Sequence, residues 1–303
     1  MRQPRVLEHS GSGDDVGCRM ANEQVTLWNA VVGDAWVEHS DHFDHTLQPF
    51  GDAVFGRLEL RTGDRVLDIG CGTGATSLRA GELVAPGRVV GIDVSAPMLA
   101  AARRRIAASA VTNVEFLERD VQESSLDAGE FDVALSRFGV MFFPDPVRAF
   151  AHINESLIQG GRLGFVCFQA PMRNPFIVVP VMVASSLLGL GGPPDPTAPG
   201  PFSFADPDAV TRMLHDAVFV DVSIEPGPTE ADLGDPRDLP VLAARLIEQN
   251  PGVASAFAAA TDEVRAITID AVADALRPHV ADGRLVMGAA TWVVSARALH
   301  AAG

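Results

Sequence analysis

The chain has 303 residues, enough for two domains of ordinary size or one large α/β domain with insertions. Hydrophobic residues make up 47% and charged residues 20%, so it can bury a core and does not have a disordered composition. Its 23 basic residues against 39 acidic ones give a net charge of −16, which argues against a nucleic-acid or anionic-membrane surface, because neutralising phosphates needs clustered cations. Every basic residue is Arg, and Lys and Tyr are absent, which excludes Schiff-base chemistry, a lysine phosphate clamp and a tyrosine acid or base. Cys18, Cys71 and Cys167 are odd in number and lack metal-type spacing, so neither a disulfide scaffold nor a zinc site is expected. The start, MRQPRVLEHSGSGDD, has no apolar run of the signal-peptide kind. The longest apolar stretch, Ile177 to Leu190, is too short to span a bilayer and is broken by Pro180, Ser185 and Ser186. A cytoplasmic protein without membrane insertion is expected, and a homo-oligomer is left open.

In chain order, residues 1–20 read as a polar, Gly/Ser-rich arm and 21–60 as N-terminal helices carrying Trp28, Trp36, Phe43, Leu47 and Phe55. From 61 to 170 short apolar runs alternate with helical stretches. Arg65–Ile69, Arg88–Ile92, Val114–Leu117, Phe131–Leu135 and Arg162–Phe168 read as strands, and Thr76–Val84, Pro97–Ala108 and Pro146–Ile158 as helices. That rhythm implies right-handed crossovers and a parallel sheet covered on both faces. Residues 171–283 break it. The proline-rich stretch 171–208, which holds GGPPDPTAPGPFSFADPD, reads as a long irregular cover over a site. A helix over Pro207–Phe219 follows, capped by Asp206, then a sixth strand near 220–225 and an Ala-rich helical region over Pro226–Pro278. Residues 284–303 hold a last strand around Thr291–Ala296 and a tail.

The chemistry is concentrated at Val66-Leu67-Asp68-Ile69-Gly70-Cys71-Gly72-Thr73-Gly74, a strand that runs into a glycine-rich turn at a helix start. Glycines there allow close backbone approach to a ligand and positive φ. Gly70 to Ala75 also fits the dinucleotide fingerprint, so an NAD-dependent oxidoreductase is a rival reading. Three acids separate the two. Asp68 stands two residues before the first glycine, where a carboxylate can meet an ammonium. Asp93 ends the second strand, where it can accept both ribose hydroxyls. Asp120 follows the third strand, where it can accept an adenine amino group, with Glu118 as a rival carboxylate. An open α/β sheet brings all three to one edge.

In order and spacing, VLDIGCGTG, GIDVSAPML, LERDVQ, FDVALSRFGVMFF and LIQGGRLGFV resemble the motifs of class I S-adenosylmethionine-dependent methyltransferases. The likeness is to the bacterial small-molecule branch near the ubiquinone/menaquinone-biosynthesis and natural-product enzymes. The resemblance implies a Rossmann-like α/β fold: a seven-stranded, mostly parallel sheet with its last strand antiparallel, helices on both faces and no general need for a metal, with a lid built from the N-terminal helices of 21–60, which would cap the cofactor, and from residues 171–283 on the acceptor side. It further implies that Gly70, Cys71, Gly72 and Gly74 shape the methionine pocket and that Asp68 helps hold the amino group. Asp93 would bind the ribose, Val94 and Met98 would flank the adenine, Asp120 and Val121 would bind it, and Ser136 would lie under the methionine.

The acceptor half is less explicit. The fourth strand runs into Ser136-Arg137-Phe138-Gly139-Val140-Met141-Phe142-Phe143, which lacks the Asn/Asp-Pro-Pro-Tyr signature of nucleic-acid amino methyltransferases. Phe138, Phe142 and Phe143 are expected to line an apolar acceptor pocket, closed over by the proline-rich segment that carries Phe176, Phe202 and Phe204. Arg137 is a candidate for an acidic group on the acceptor or for the cofactor carboxylate. In His39-Ser40-Asp41-His42-Phe43-Asp44-His45 the histidines recur every three residues, and His42 or His45 is the candidate general base. A metal site or a solvated helix face is the alternative there. The expected activity is methyl transfer to a small hydrophobic acceptor (quinone-like, isoprenoid or alkaloid), with carbon, nitrogen and oxygen all open as the target. An S-adenosylmethionine-binding protein without methyl transfer is the alternative outside catalysis.

Overall fold

A computed structural model describes residues 24–123, 126–191 and 198–300; the expected N-terminal arm and Cys18 lie outside them. Among the described residues ten strands are formed: β1 (Arg65–Ile69), β2 (Arg88–Asp93), β3 (Val114–Glu118), β4 (Phe131–Arg137), β5 (Leu157–Phe168), β6 (Phe219–Pro226), β7 (Glu230–Asp232), β8 (Val280–Ala281), β9 (Arg284–Gly288) and β10 (Thr291–Ala298). Seven of them make one sheet in the order β3-β2-β1-β4-β5-β10-β6. β1 to β5 pair in parallel, whereas β10 runs antiparallel to both β5 and β6. The parallel strands are near-continuous apolar runs because both faces are covered: in β1, β2 and β4 most side chains are buried.

The helices are α1 (Val31–Glu38), α2 (Ser40–Leu58), α3 (Ala75–Val84), α4 (Ala96–Ala107), α5 (Pro146–Ser156), α6 (Pro175–Leu187), α7 (Pro207–Asp216), α8 (Leu239–Glu248), α9 (Ala254–Ala259) and α10 (Asp262–Leu276). Gly164 of β5 abuts Leu58 of α2, while the next residue, Phe165, packs on Phe150 of α5. Successive strand residues face opposite sides, so α2 and α5 cover opposite faces of the sheet. Local chemistry sets the helix starts. Ser95 caps α4, Asp145 caps α5 with Pro146 at its first position, and Asp206 caps α7 ahead of Pro207.

Three stretches differ from the sequence reading. Residues 171–208 are not irregular throughout, because Pro175–Leu187 forms α6 with Pro180 inside it. An interior proline costs roughly 3 kcal/mol, and burial of Phe176, Pro180 and Ala184 against the rest of the core offsets that cost. Residues 226–278 are not wholly helical, since they begin with β7, which joins a small second sheet, β7-β9-β8. Its strands are two to five residues long, too short for a period-2 pattern to stand out. The N-terminal helical region is broken at His39 into α1 and α2.

Candidate functional site

The sheet order reverses between β1 and β4: the chain winds outward through β2 and β3 on one side and through β5 on the other. A crevice opens beyond the strand ends at such a switch point. The turn after β1 fills its floor. Gly70 has φ +65°, and a Cβ there would stand 2.8 Å from the Cα of Gly139 in the loop after β4. Ser136 donates from Oγ to the Ile69 carbonyl at 2.7 Å and accepts from the Gly139 N–H at 3.2 Å, which fixes the same approach from the β4 side. Gly72 (φ +54°) is different, because a Cβ there would meet nothing nearer than Met98 Sδ at 3.7 Å, and its open side faces the cavity.

Asp93 sits at the end of β2 on the cavity wall. Its Oδ2 accepts from the Gly72 N–H at 2.8 Å and its Oδ1 from the Ser95 N–H at 2.9 Å. Each oxygen keeps a lone pair for a ligand donor. Burial pushes the Asp93 carboxyl up from its ordinary range, and these backbone donors act against it. Cys71, Val94, Met98, Asp120 and Val121 share the wall. Asp120 Oδ1 accepts from the Gln122 N–H at 2.9 Å, which shapes the turn after β3.

Three expected cofactor residues are placed behind the wall. Asp68 is wholly buried; its Oδ2 accepts from Ser77 Oγ at 2.6 Å, and its Oδ1 has no hydrogen-bond partner among the described residues. Burial pushes this carboxyl up to about 7. Asp68 thus stands just behind the wall, one oxygen held by Ser77 and the other without a partner among the described residues. Ser136 is equally buried and serves as the β1–β4 clamp. Gly74 caps α3, its missing side chain leaving room for Phe116.

The other half of the cavity is apolar. Phe138 follows β4 with a left-handed backbone (φ +67°), an uncommon conformation for a bulky residue, and its ring stacks on Phe168 at 4.2 Å. Phe138, Phe142, Phe143 and Phe168 line the cavity with Phe176 and Pro180 of α6, Leu233 from the turn after β7, and Leu246 of α8. Phe176 and Pro180 come from the proline-rich stretch expected as a cover, whereas Leu233 and Leu246 were not legible as site residues, since they come from segments remote in sequence and carry no motif. Phe202 and Phe204, expected as its cover, lie off the wall. Phe204 is buried beside Phe150 and Phe165, and the ring of Phe202 lies 6.4 Å from that of Phe168.

The histidines separate clearly. His42 is on the wall, and burial, with the cationic Arg245 next in effect, lowers its imidazole to about 4. It is therefore neutral at neutral pH, as a proton acceptor must be. His45 is off the wall, 61% exposed and 3.3 Å from Asp232. No group of metal-ligating side chains forms among the described residues. Arg137 lies on the wall and faces Asp44 of α2.

The N-terminal segment closes the cofactor end, through residues that the sequence reading missed. Asn29 donates from Nδ2 to the Val94 carbonyl at 2.8 Å and accepts from the Ala96 N–H at 2.9 Å, and Ser95 Oγ donates to the Trp28 carbonyl at 2.7 Å. Trp28 then meets Phe142 edge-on at 5.0 Å, joining this cover to the acceptor half.

A reversing α/β sheet with a glycine turn on its floor and acids at successive strand ends defines a nucleoside-binding enzyme core. The model for the methyltransferase domain matches residues 66–161. The chain is 36% identical to the aklanonic acid methyltransferase DauC of Streptomyces sp. (strain C5) over 147 residues, 47% of this chain and 67% of the relative. It is 36% identical to the demethylmenaquinone methyltransferase of Thermus thermophilus over 129 residues, 42% of this chain and 58% of the relative. In fold it is similar to the YcgJ protein from Bacillus subtilis, with a TM-score of 0.53 and 19% identity over 85% of this chain and 99% of that one. The chain belongs to the S-adenosylmethionine-dependent methyltransferases.

The crevice fits that cofactor by its own geometry: an open glycine edge at Gly72, a strand-end carboxylate at Asp93 with lone pairs to spare, and the apolar Val94 and Met98 beside it. No helix among the described residues is long and apolar enough to cross a membrane.

Proposed function

We propose that the protein methylates a small hydrophobic acceptor, quinone-like in shape, at a position whose nucleophile must shed a proton. The observation that carries this reading is the neutral His42 on the wall of a cavity that Phe43, Leu47, Phe138, Phe142, Phe168 and Phe176 also line. When bound, S-adenosylmethionine supplies the methyl group on a sulfonium. Transfer is then an in-line displacement, accelerated mainly by positioning and by exclusion of water. Asp93 would hold the ribose hydroxyls, and Asp120 the adenine amino group. Gly70 and Gly72 would let the methionine chain lie against the backbone. Phe138, Phe142, Phe168 and Phe176 would bury the acceptor, and His42 would take the proton that the nucleophile sheds. Relatives named as methyltransferases of aklanonic acid and of demethylmenaquinone support an acceptor of this kind.

The test is to incubate the protein with methyl-labelled S-adenosylmethionine and a panel of quinone-like, isoprenoid and alkaloid acceptors, following label transfer by mass spectrometry. Labelled product is expected from the quinone-like members, and label transferred only to isoprenoids or alkaloids would contradict the acceptor class. The cofactor half is tested apart from the acceptor. Calorimetry is expected to show binding of S-adenosylhomocysteine and none of NAD. Asp93→Ala should weaken the former by about 1.5–3 kcal/mol, the worth of a charge-assisted hydrogen bond. Equal affinity in the variant would remove Asp93 from the ribose site.

A further inference from the structure

One carboxylate near the glycine turn serves two guanidinium groups. Asp44, two residues after His42 on α2, receives the Arg105 Nη2 on its Oδ2, while its Oδ1 lies 3.5 Å from Arg137 Nη2. Arg105 is otherwise satisfied, because it also donates to the carbonyl and the hydroxyl of Thr73 in the glycine turn, at 3.2 and 3.3 Å. Among the described residues Arg137 has only the long contact to Asp44, although its side chain is 13% exposed. The other anion in its field is Asp68, which burial leaves only partly ionised at neutral pH. The cluster of Arg105, Asp44 and Arg137 thus carries a surplus positive charge in a desolvated place. A cation out of water is costly until it is paired.

The direction of Arg137 locates this demand. Its Cδ passes 3.5 Å from where a Cβ on Gly51 would stand, and its head reaches Asp44 nearly two turns earlier on the same helix. Asp44 is tied through Arg105 to Thr73, so the head of Arg137 lies at the glycine-turn end of the cavity. The apolar end is occupied instead by the next residue, Phe138, stacked on Phe168. An anion arriving with a ligand in the glycine turn would meet Arg137 first.

We propose that Arg137 is the receptor for the carboxylate of the cofactor's methionine moiety, and that Asp44 is the residue that positions it. The planar guanidinium can hold Asp44 on one edge and a ligand carboxylate on the other. Because Asp44 lies on the helix that carries His42, filling this site would also fix α2 over the glycine turn. The inference rests on S-adenosylmethionine as the cofactor, and the experiment separates the two.

Calorimetry with S-adenosylhomocysteine and with its decarboxylated analogue, on wild type, Arg137→Met and Arg137→Lys, tests it without any acceptor. Wild type should prefer S-adenosylhomocysteine by roughly 10- to 100-fold, the range of a charge-assisted pair. Arg137→Met should lower S-adenosylhomocysteine to the level of the analogue and leave the analogue unchanged, which also shows that the variant is folded. Arg137→Lys, which keeps the charge but not the fork, should retain part of the preference. Undiminished discrimination in Arg137→Met would overturn the proposal and return Arg137 to the acceptor. Loss of both ligands in both variants would also overturn it, assigning Arg137 a structural role. Failure of wild type to bind either ligand would instead strike the cofactor reading itself.

Discussion

His42→Ala should lower turnover by about 10²- to 10⁴-fold, the usual contribution of a positioned general base, while S-adenosylhomocysteine binds as in wild type. The expectation follows from three features of one residue. His42 is on the cavity wall, no hydrogen bond holds it among the described residues, and burial with Arg245 nearby lowers its imidazole to about 4. The last feature sets the pH dependence. A histidine held below its ordinary value of about 6.5 is neutral, and ready to accept a proton, at every pH above its own. At saturating cofactor the rate should therefore stay level through neutral pH and fall only as pH drops toward about 4. The same lowering makes protonation of His42 destabilising: its contribution is whole above the unfolded value and is lost as pH falls toward the folded one. His45→Ala should leave turnover unchanged, since His45 is exposed and engaged with Asp232. A rate unaltered in His42→Ala would leave proximity and desolvation as the whole of catalysis; an inflection near 6.5 would mean that the titrating histidine is a solvated one.

The two histidines show where the sequence stops being explicit. Both stand in the same short run, and residue type alone gives them equal claim. Helix phase does separate them. With about 100° per residue, the buried stripe Phe43, Leu47, Phe50 and Val54 of α2 places His45 nearly opposite and His42 at its flank. The run could have been phased this way from its apolar neighbours. The cofactor half was legible for a stronger reason. Five apolar runs at βα spacing force a parallel sheet, and Asp93 and Asp120 follow strands whose ends the topology must gather on one edge. Asp68 was legible as a strand-end position, but its hydrogen bond to Ser77 was not, because that depends on how the helix behind the strand packs. The acceptor wall was legible only in part. Phe138, Phe142, Phe143 and Phe176 stand in stretches whose aromatic content marks them, but Phe168, Leu233 and Leu246 reach the wall from β5, the turn after β7 and α8, and no local pattern marks residues that meet only through tertiary packing.

Phe204→Ala should cost about 3–5 kcal/mol of folding stability and leave S-adenosylhomocysteine affinity and turnover per folded molecule unchanged. In sequence, Phe202 and Phe204 sit in a proline-rich stretch that looks built to close over a ligand. The structure gives Phe204 another surrounding. Its side chain is 5% exposed, its ring lies 6.2 Å from that of Phe150 on α5 and 6.1 Å from that of Phe165 on β5, and its carbonyl is 3.7 Å from Cys167 Sγ. This cluster is on the face of the sheet that α5 covers, away from α2 and His42. Truncation would open a void among rings that are themselves fully buried, and neither Phe150 nor Phe165 can leave its own element to fill it. At roughly 2–4 °C per kcal/mol for a domain of this size class, the melting temperature should fall on the order of 10 °C. Phe202 is only partly buried and touches the site through Phe168, at 6.4 Å, so its truncation should cost less stability. Melts run beside binding and rate measurements decide the matter: an unchanged melting temperature with a weakened acceptor interaction in Phe204→Ala would restore it to the site's cover.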